Sequence, residues 1–207
     1  MQASLDGFDA PSRPTDRLFF ALFPDAAAAQ QAGELAAALC RQHGLSGRPL
    51  ARERMHVTLA HLGDFVGLPA GLVRDACQAA ASLDERPFDV QLARVGSFVG
   101  RTSRLPLVAL GDDGVQALKA FQGRLDQALR RQGVRRVGGD NFVPHLTLLY
   151  DDKRVPQQAI APLHWRAVDF ALVHSHLGQT RYDILGRWPL RQDQGIGAPV
   201  VWAQSLP

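Results

Sequence analysis

Cysteine is scarce in this chain of 207 residues. Cys40 and Cys77 match neither a metal-ligand spacing nor a disulfide framework, and they read as helix-packing side chains. No apolar run approaches the ~18 residues a membrane helix needs, which excludes a helical membrane span. Met1 to Thr15 lacks a basic start followed by an apolar core, so no secretory signal is visible and a reducing cytoplasm is the expected setting. A Ser-His-Asp order and a nucleophile elbow are both missing, and Gly138-Gly139 is too short for a phosphate-cradling loop. Lysine is nearly absent. Of the 23 basic side chains only Lys119 and Lys153 are lysines; the rest are arginines. With a pI near 9.3 this fits a polyanionic partner, since guanidinium suits phosphate, and equally a GC-rich genome.

What is present suffices for a sizeable core. The chain is 46% hydrophobic, and a protein of this size buries roughly 70% of its unfolded surface without a disulfide or structural metal. Residues 1–15 read as a loose arm, 16–190 as the folded unit and 191–207 as an irregular tail. Short apolar or alternating runs predict strands at 17–23, 55–62, 88–95, 105–110 and 142–150. Residues 168–177 and 180–190 form an expected hairpin. Helices are expected at 26–42, with Asp25 as cap, at 69–83, and at 113–132, where Val115, Leu118, Phe121, Leu125 and Leu129 share a face.

The order strand, long helix, loop, strand occurs twice. Ala21-Leu22 precedes His56-Val57-Thr58-Leu59, and Ala109-Leu110 precedes His145-Leu146-Thr147-Leu148 at nearly the same distance. Such a repeat implies duplication and two similar lobes. The expected fold is therefore α+β: two pseudo-symmetric lobes, each an antiparallel sheet with outer helices, around a central cleft. The His-x-Thr strands are expected in the middle, lining a basic groove.

Side chains two apart on a strand point the same way, so each histidine shares a face with its threonine. Two imidazoles across a cleft divide acid and base work near neutral pH, and hydroxyls beside them hydrogen-bond phosphate oxygens. The set fits in-line hydrolysis of a phosphodiester, above all a strained cyclic one, and demands no metal and no cofactor. A bell-shaped rate profile near neutral pH is expected.

These residues resemble the 2H phosphoesterase superfamily, named for two His-x-Thr/Ser motifs, and within it the bacterial RNA 2′,3′-cyclic phosphodiesterases, or 2′-5′ RNA ligases. The resemblance rests on Arg17-Leu18-Phe19-Phe20-Ala21, His56-Val57-Thr58-Leu59 with Leu62-Gly63, Phe142-x-Pro144-His145-Leu146-Thr147-Leu148 and the closing hairpin. It implies His56 as proton donor, His145 as proton acceptor, and Thr58 and Thr147 as phosphate ligands. It also implies hydrolysis of a ribose 2′,3′-cyclic phosphate to a 2′-phosphomonoester without metal, reversible as 2′-5′ ligation. The implied partners are RNA ends or cyclic nucleotides, with no membrane and no obligate protein partner. ADP-ribose 1″,2″-cyclic phosphate is an alternative substrate, and a non-catalytic nucleotide-binding module an alternative role. One departure is Tyr150, which stands where many relatives carry an arginine.

Several residues remain outside that pattern. Strict alternation puts Tyr150 on the face away from His145, and His61 on the face away from His56. His174-x-His176 shares a face and is a metal-ligand pair in form, but no third ligand appears at a telling spacing, so it reads as a surface or groove-lining pair. Arg48, Arg52, Arg54, Arg135 and Arg136 precede the two motifs, where loop guanidinium groups guide a polyanion or, alternatively, are solvated loop charge. Phe142 and Tyr150 read as core aromatics at strand ends in preference to base-stacking ones.

Overall fold

The computed structural model describes residues 13–98, 104–139 and 141–191. The first strand, β1 (Asp16–Leu22), is apolar without interruption from Leu18 onward because both its faces are covered. Leu18, Phe20 and Leu22 enter the main core, while Phe19 and Ala21 join a second cluster with Ala171 and Val173. Next comes α1 (Ala26–His43). Asp25 caps it by accepting from the Ala28 N–H at 2.8 Å, and Gly44 ends it at φ 59°, where a side chain would be strained.

The remaining elements are β2 (Val57–Phe65), α2 (Ala70–Ala81), β3 (Phe88–Ser97), β4 (Leu105–Leu110), α3 (Gln116–Arg131), β5 (His145–Asp151), β6 (Gln158–Ala167), β7 (Asp169–His176) and β8 (Arg181–Pro189). The expected third helix is split into a 3₁₀ turn at Asp113–Val115 and α3, and all five residues predicted on its apolar face are buried. Both His-x-Thr strands begin later than expected. The Arg54 and Val143 carbonyls are taken by the histidine rings themselves, and Pro144 has no N–H to give a ladder.

Two four-stranded antiparallel sheets result, in the orders β2-β1-β7-β8 and β5-β4-β3-β6. The repeat seen in the sequence maps onto them, with β1-α1-β2 in one lobe answering β4-α3-β5 in the other. Each His-x-Thr strand is an outer strand of its own sheet, and the two outer strands touch at the middle of the molecule. There the lobes exchange backbone hydrogen bonds. Leu50 N–H donates to Leu148 O at 2.8 Å, and Val137 N–H donates to His61 O at 2.6 Å.

One strand, β6, was not expected. Its second half alternates buried with exposed, with Leu163, Trp165 and Ala167 buried, and Pro162 interrupts it, which a sheet edge tolerates. Residues 1–12 and 192–207, most of the expected arm and tail, lie outside the described residues. Thr15 belongs with the sheet: its N–H donates to Phe65 O and its carbonyl accepts from the Leu177 N–H. Among the described residues no helix is long and apolar enough to cross a membrane.

Candidate active site

His56 and His145 are held in the same way. Each ring lies with Nδ1 against the carbonyl two residues back, at 2.7 Å to Arg54 O and 2.8 Å to Val143 O. An Nδ1–H that donates to a carbonyl fixes the neutral ring with its other nitrogen, Nε2, bare and basic. Both rings are partly exposed, as are Thr58 and Thr147 on the strands that follow.

Strand pairing corrects two expectations about what else shares this face. In β2, Thr58 pairs with Ala21, but Ala60 pairs with Phe20, so Leu59 is an extra residue; a second shift passes over Leu62. In β5, Thr147 pairs with Val108 and Leu149 with Leu107, so Leu148 is extra. A bulge of one residue reverses the alternation beyond it. His61, paired with Phe19, therefore returns to the face of Thr58, and Tyr150, paired with Pro106, returns to the face of Thr147. The leucine of each His-x-Thr-Leu is the bulged residue. Equivalent positions five beyond each histidine, His61 and Tyr150, thus face the cleft.

The surroundings of the two imidazoles differ. Around His56 stand Phe19 (ring centroids 4.9 Å apart), Phe23 (6.0 Å) and Tyr182 (5.7 Å, edge-on). His145 meets Phe98 edge-on at 4.9 Å. Burial among these rings lowers the pKa of His56 to about 4; the Arg54 carbonyl works against this, and positive charge on His145 and Arg54 adds to it. Burial also lowers His145, against the pull of the Val143 carbonyl.

Arg54 stands beside the first imidazole. The Arg54 guanidinium lies over the Tyr182 ring, 5.0 Å from its centroid, with Nη2 3.4 Å from the Tyr182 hydroxyl. Its Nε is buried without a hydrogen-bond partner among the described residues. Beside it opens a cavity of about 630 Å³, lined by Phe23, Arg52, Arg54, Thr180, Tyr182 and Arg187, among others. Arg17, on the cleft face of β1, makes two 2.7 Å bonds to Asp64, which also lies 3.0 Å from His61 Nε2. Arg135 and Arg136 do not join this group. They line a separate hollow of about 500 Å³ at the end of α3, where Asp126 partly offsets the charge by pairing with Arg130 and Arg136.

Of the aromatics weighed from the sequence, Phe142 packs on the core while Tyr150 is 44% exposed. Sequence reasoning missed Phe19 and Tyr182 beside His56, and Arg187 over the Phe23 ring, because their approach depends on how β1, β2, β7 and β8 pair. It also missed the partner of His174 and His176: Asp16 Oδ1 lies 2.6 Å from His174 Nε2, brought there from 158 residues away.

Two antiparallel sheets that meet at paired His-x-Thr edge strands define a bilobal α+β phosphoesterase architecture. A family model described as the 2′-5′ RNA ligase superfamily matches residues 23–182. The chain belongs to this superfamily, and with it to the 2H phosphoesterases. Among solved structures it is similar to E. coli LigT in apo form, 26% identical over 87% of this chain and 100% of LigT, with a TM-score of 0.65. TT0787 of Thermus thermophilus is 25% identical over 86% of this chain and 100% of its own, at a TM-score of 0.68. E. coli LigT complexed with phosphate is 25% identical over 87% and 100%, at 0.62. No curated protein matches the chain.

Proposed function

We propose that the protein hydrolyses a 2′,3′-cyclic phosphate, on an RNA end or a nucleotide, to a 2′-phosphomonoester with its two histidines as the acid and base. The observation that carries this reading is the matched pair of Nδ1 tethers, which leave Nε2 of both His56 and His145 for proton transfer. Neutral His145 takes a proton from the water that attacks phosphorus. Protonated His56 gives one to O3′ as the P–O3′ bond breaks, so the sugar leaves with a free 3′-hydroxyl and the phosphate stays on O2′. Thr58 and Thr147 hydrogen-bond the non-bridging oxygens. The unpartnered Arg54 Nε is a further donor to that anion. The cavity bounded by Arg52, Arg54, Tyr182 and Arg187 takes the nucleoside or the rest of the RNA chain, its size lying within the usual range for ligand sites. Binding of phosphate by LigT is in keeping with this assignment. Run in reverse, with a 5′-hydroxyl in the role of water, the same groups give 2′-5′ ligation.

The test is incubation of the protein with nucleoside 2′,3′-cyclic phosphates in chelator, with the 2′-phosphate product resolved from the 3′-isomer. Turnover to the 2′-product is expected. Tight nucleotide binding without product would make the protein a binding module instead.

The lowered pKa values move the expected pH optimum. His56 of the free protein gains its charge only towards about pH 4, and burial sets His145 below the ordinary value too. Above 6.5 both are neutral and no acid remains, while at low enough pH both are charged and no base remains. The profile of kcat/KM is therefore a bell whose maximum lies between these values, on the acid side of neutrality. The bound phosphodiester anion favours the imidazolium, so the kcat profile sits at higher pH. A kcat/KM that is level from pH 7 to 9, with chemistry limiting the rate, would refute this division of labour.

A further inference from the structure

The main core and the active-site cleft lie on opposite faces of the β2-β1-β7-β8 sheet, and a second group of histidines sits on the core side. Asp16 has the parity of Leu18 and Phe20, and His174 and His176 have that of Phe170 and Leu172, whereas Phe19, Ala171 and Val173 face the cleft. Pairing of Asp16 with His176, of Leu18 with His174 and of His174 with Asp183 brings four polar side chains to one patch. One ligand atom from each of Asp16, His174 and His176 lies within 4.8 Å of the other two. The Asp16 and His174 side chains are only 14% and 12% exposed. The two imidazole centroids are 4.0 Å apart, and His176 Nε2 is 2.7 Å from Asp183 Oδ2, a carboxylate also held by Arg181 at 2.8 Å.

We propose that Asp16, His174 and His176 bind a divalent transition ion of the zinc class, with Asp183 orienting His176. Two imidazoles with one carboxylate suit such an ion and not calcium or magnesium, which take oxygen alone. Ligands at ~2.0–2.2 Å from zinc are about 3.4 Å apart in tetrahedral geometry, so small side-chain rotations close the site. A carboxylate on the second nitrogen of a ligating histidine is the usual outer support of such centres. The ion ties the beginning of β1 to the end of β7, residues 158 apart, and lies away from the cleft, so it stabilises the first lobe and takes no part in phosphoester chemistry.

The test uses the full chain, stripped with chelator and titrated with Zn²⁺ alone by calorimetry, with melting followed in parallel. One equivalent is expected to bind, to raise Tm, and to leave turnover of a cyclic nucleotide unchanged. His174→Ala and His176→Ala are expected to lose that binding while matching the unliganded wild type in circular dichroism. Should either misfold, Asp183→Asn serves, with affinity expected to fall about 10- to 100-fold. Absence of saturable one-equivalent binding, or binding unchanged in the folded variants, overturns the site. Neither outcome bears on the two-histidine hydrolysis, which is measured in chelator.

Discussion

Replacement of His56 or of His145 by alanine is expected to lower turnover of a 2′,3′-cyclic nucleotide by about 10²- to 10⁴-fold each. The reason lies in the tethers. Each ring is held through Nδ1 by a carbonyl of its own chain, so its removal takes away one proton transfer without disturbing a lobe's core. The double variant is expected to fall well short of the product of the two losses, because acid and base act on one transition state. Melting temperature separates chemistry from folding: it should stay close to wild type while the rate collapses. A well-folded His145→Ala protein that keeps a large share of its turnover would contradict the assignment.

The second large effect is on stability. Asp151, 1% exposed at the end of β5, accepts from the Gly47 N–H at 2.6 Å and the Lys153 N–H at 2.9 Å, with Ser46 Oγ at 3.4 Å. It fastens the loop before the first His-x-Thr strand to the second lobe. Asp151→Ala strands two backbone donors, each worth about 1–3 kcal/mol, so a loss of roughly 2–6 kcal/mol is expected. In a chain of this size that is a fall of roughly 4–24 °C in Tm. Gly47→Ala should act in the same direction, because a Cβ there would meet Tyr150 O at 2.3 Å.

Acid offers a check on the mechanism of that effect. Burial alone would raise the Asp151 carboxyl, but the Lys153, Gly47 and Ser46 backbone groups and Asp152 together bring it down to about 2 from 3.8. Its contribution is therefore complete above the unfolded value and is lost as pH falls through the folded one. The Tm difference between wild type and Asp151→Ala should be constant at pH 5 and above, then shrink towards pH 2. A difference that does not change over that interval would show that the carboxylate's charge is not what holds the loop.

Much of this was legible before any coordinates. The spacing of Ala21-Leu22 to His56 and of Ala109-Leu110 to His145 carried the duplicated unit, because a repeated strand-helix-strand leaves the same apolar punctuation twice. Leu118, Phe121, Leu125 and Leu129 announced α3 by period alone. The bulges at Leu59 and Leu148 were not legible, since an inserted residue in a run of leucine and alanine changes no pattern of polarity. Yet they decide that His61 and Tyr150 face the cleft. Strand β6 was hidden by Pro162 and by its exposed first half. The approach of Phe19 and Tyr182 to His56, and the meeting of Asp16 with His174, depend on which strands lie side by side, information that no local window contains.

The reciprocal bonds of Leu50 to Leu148 and of Val137 to His61 have an evolutionary and practical corollary. Each half of the duplication lends a short stretch of backbone to cover the raw margin of its sibling's sheet. Separating the two lobes would bare two adhesive ladders at once, the kind of margin through which sheets stick to foreign strands. Dissection into autonomous halves is thereby disfavoured, and an ancestor made of a single half would have had to satisfy those margins by pairing with its own copy.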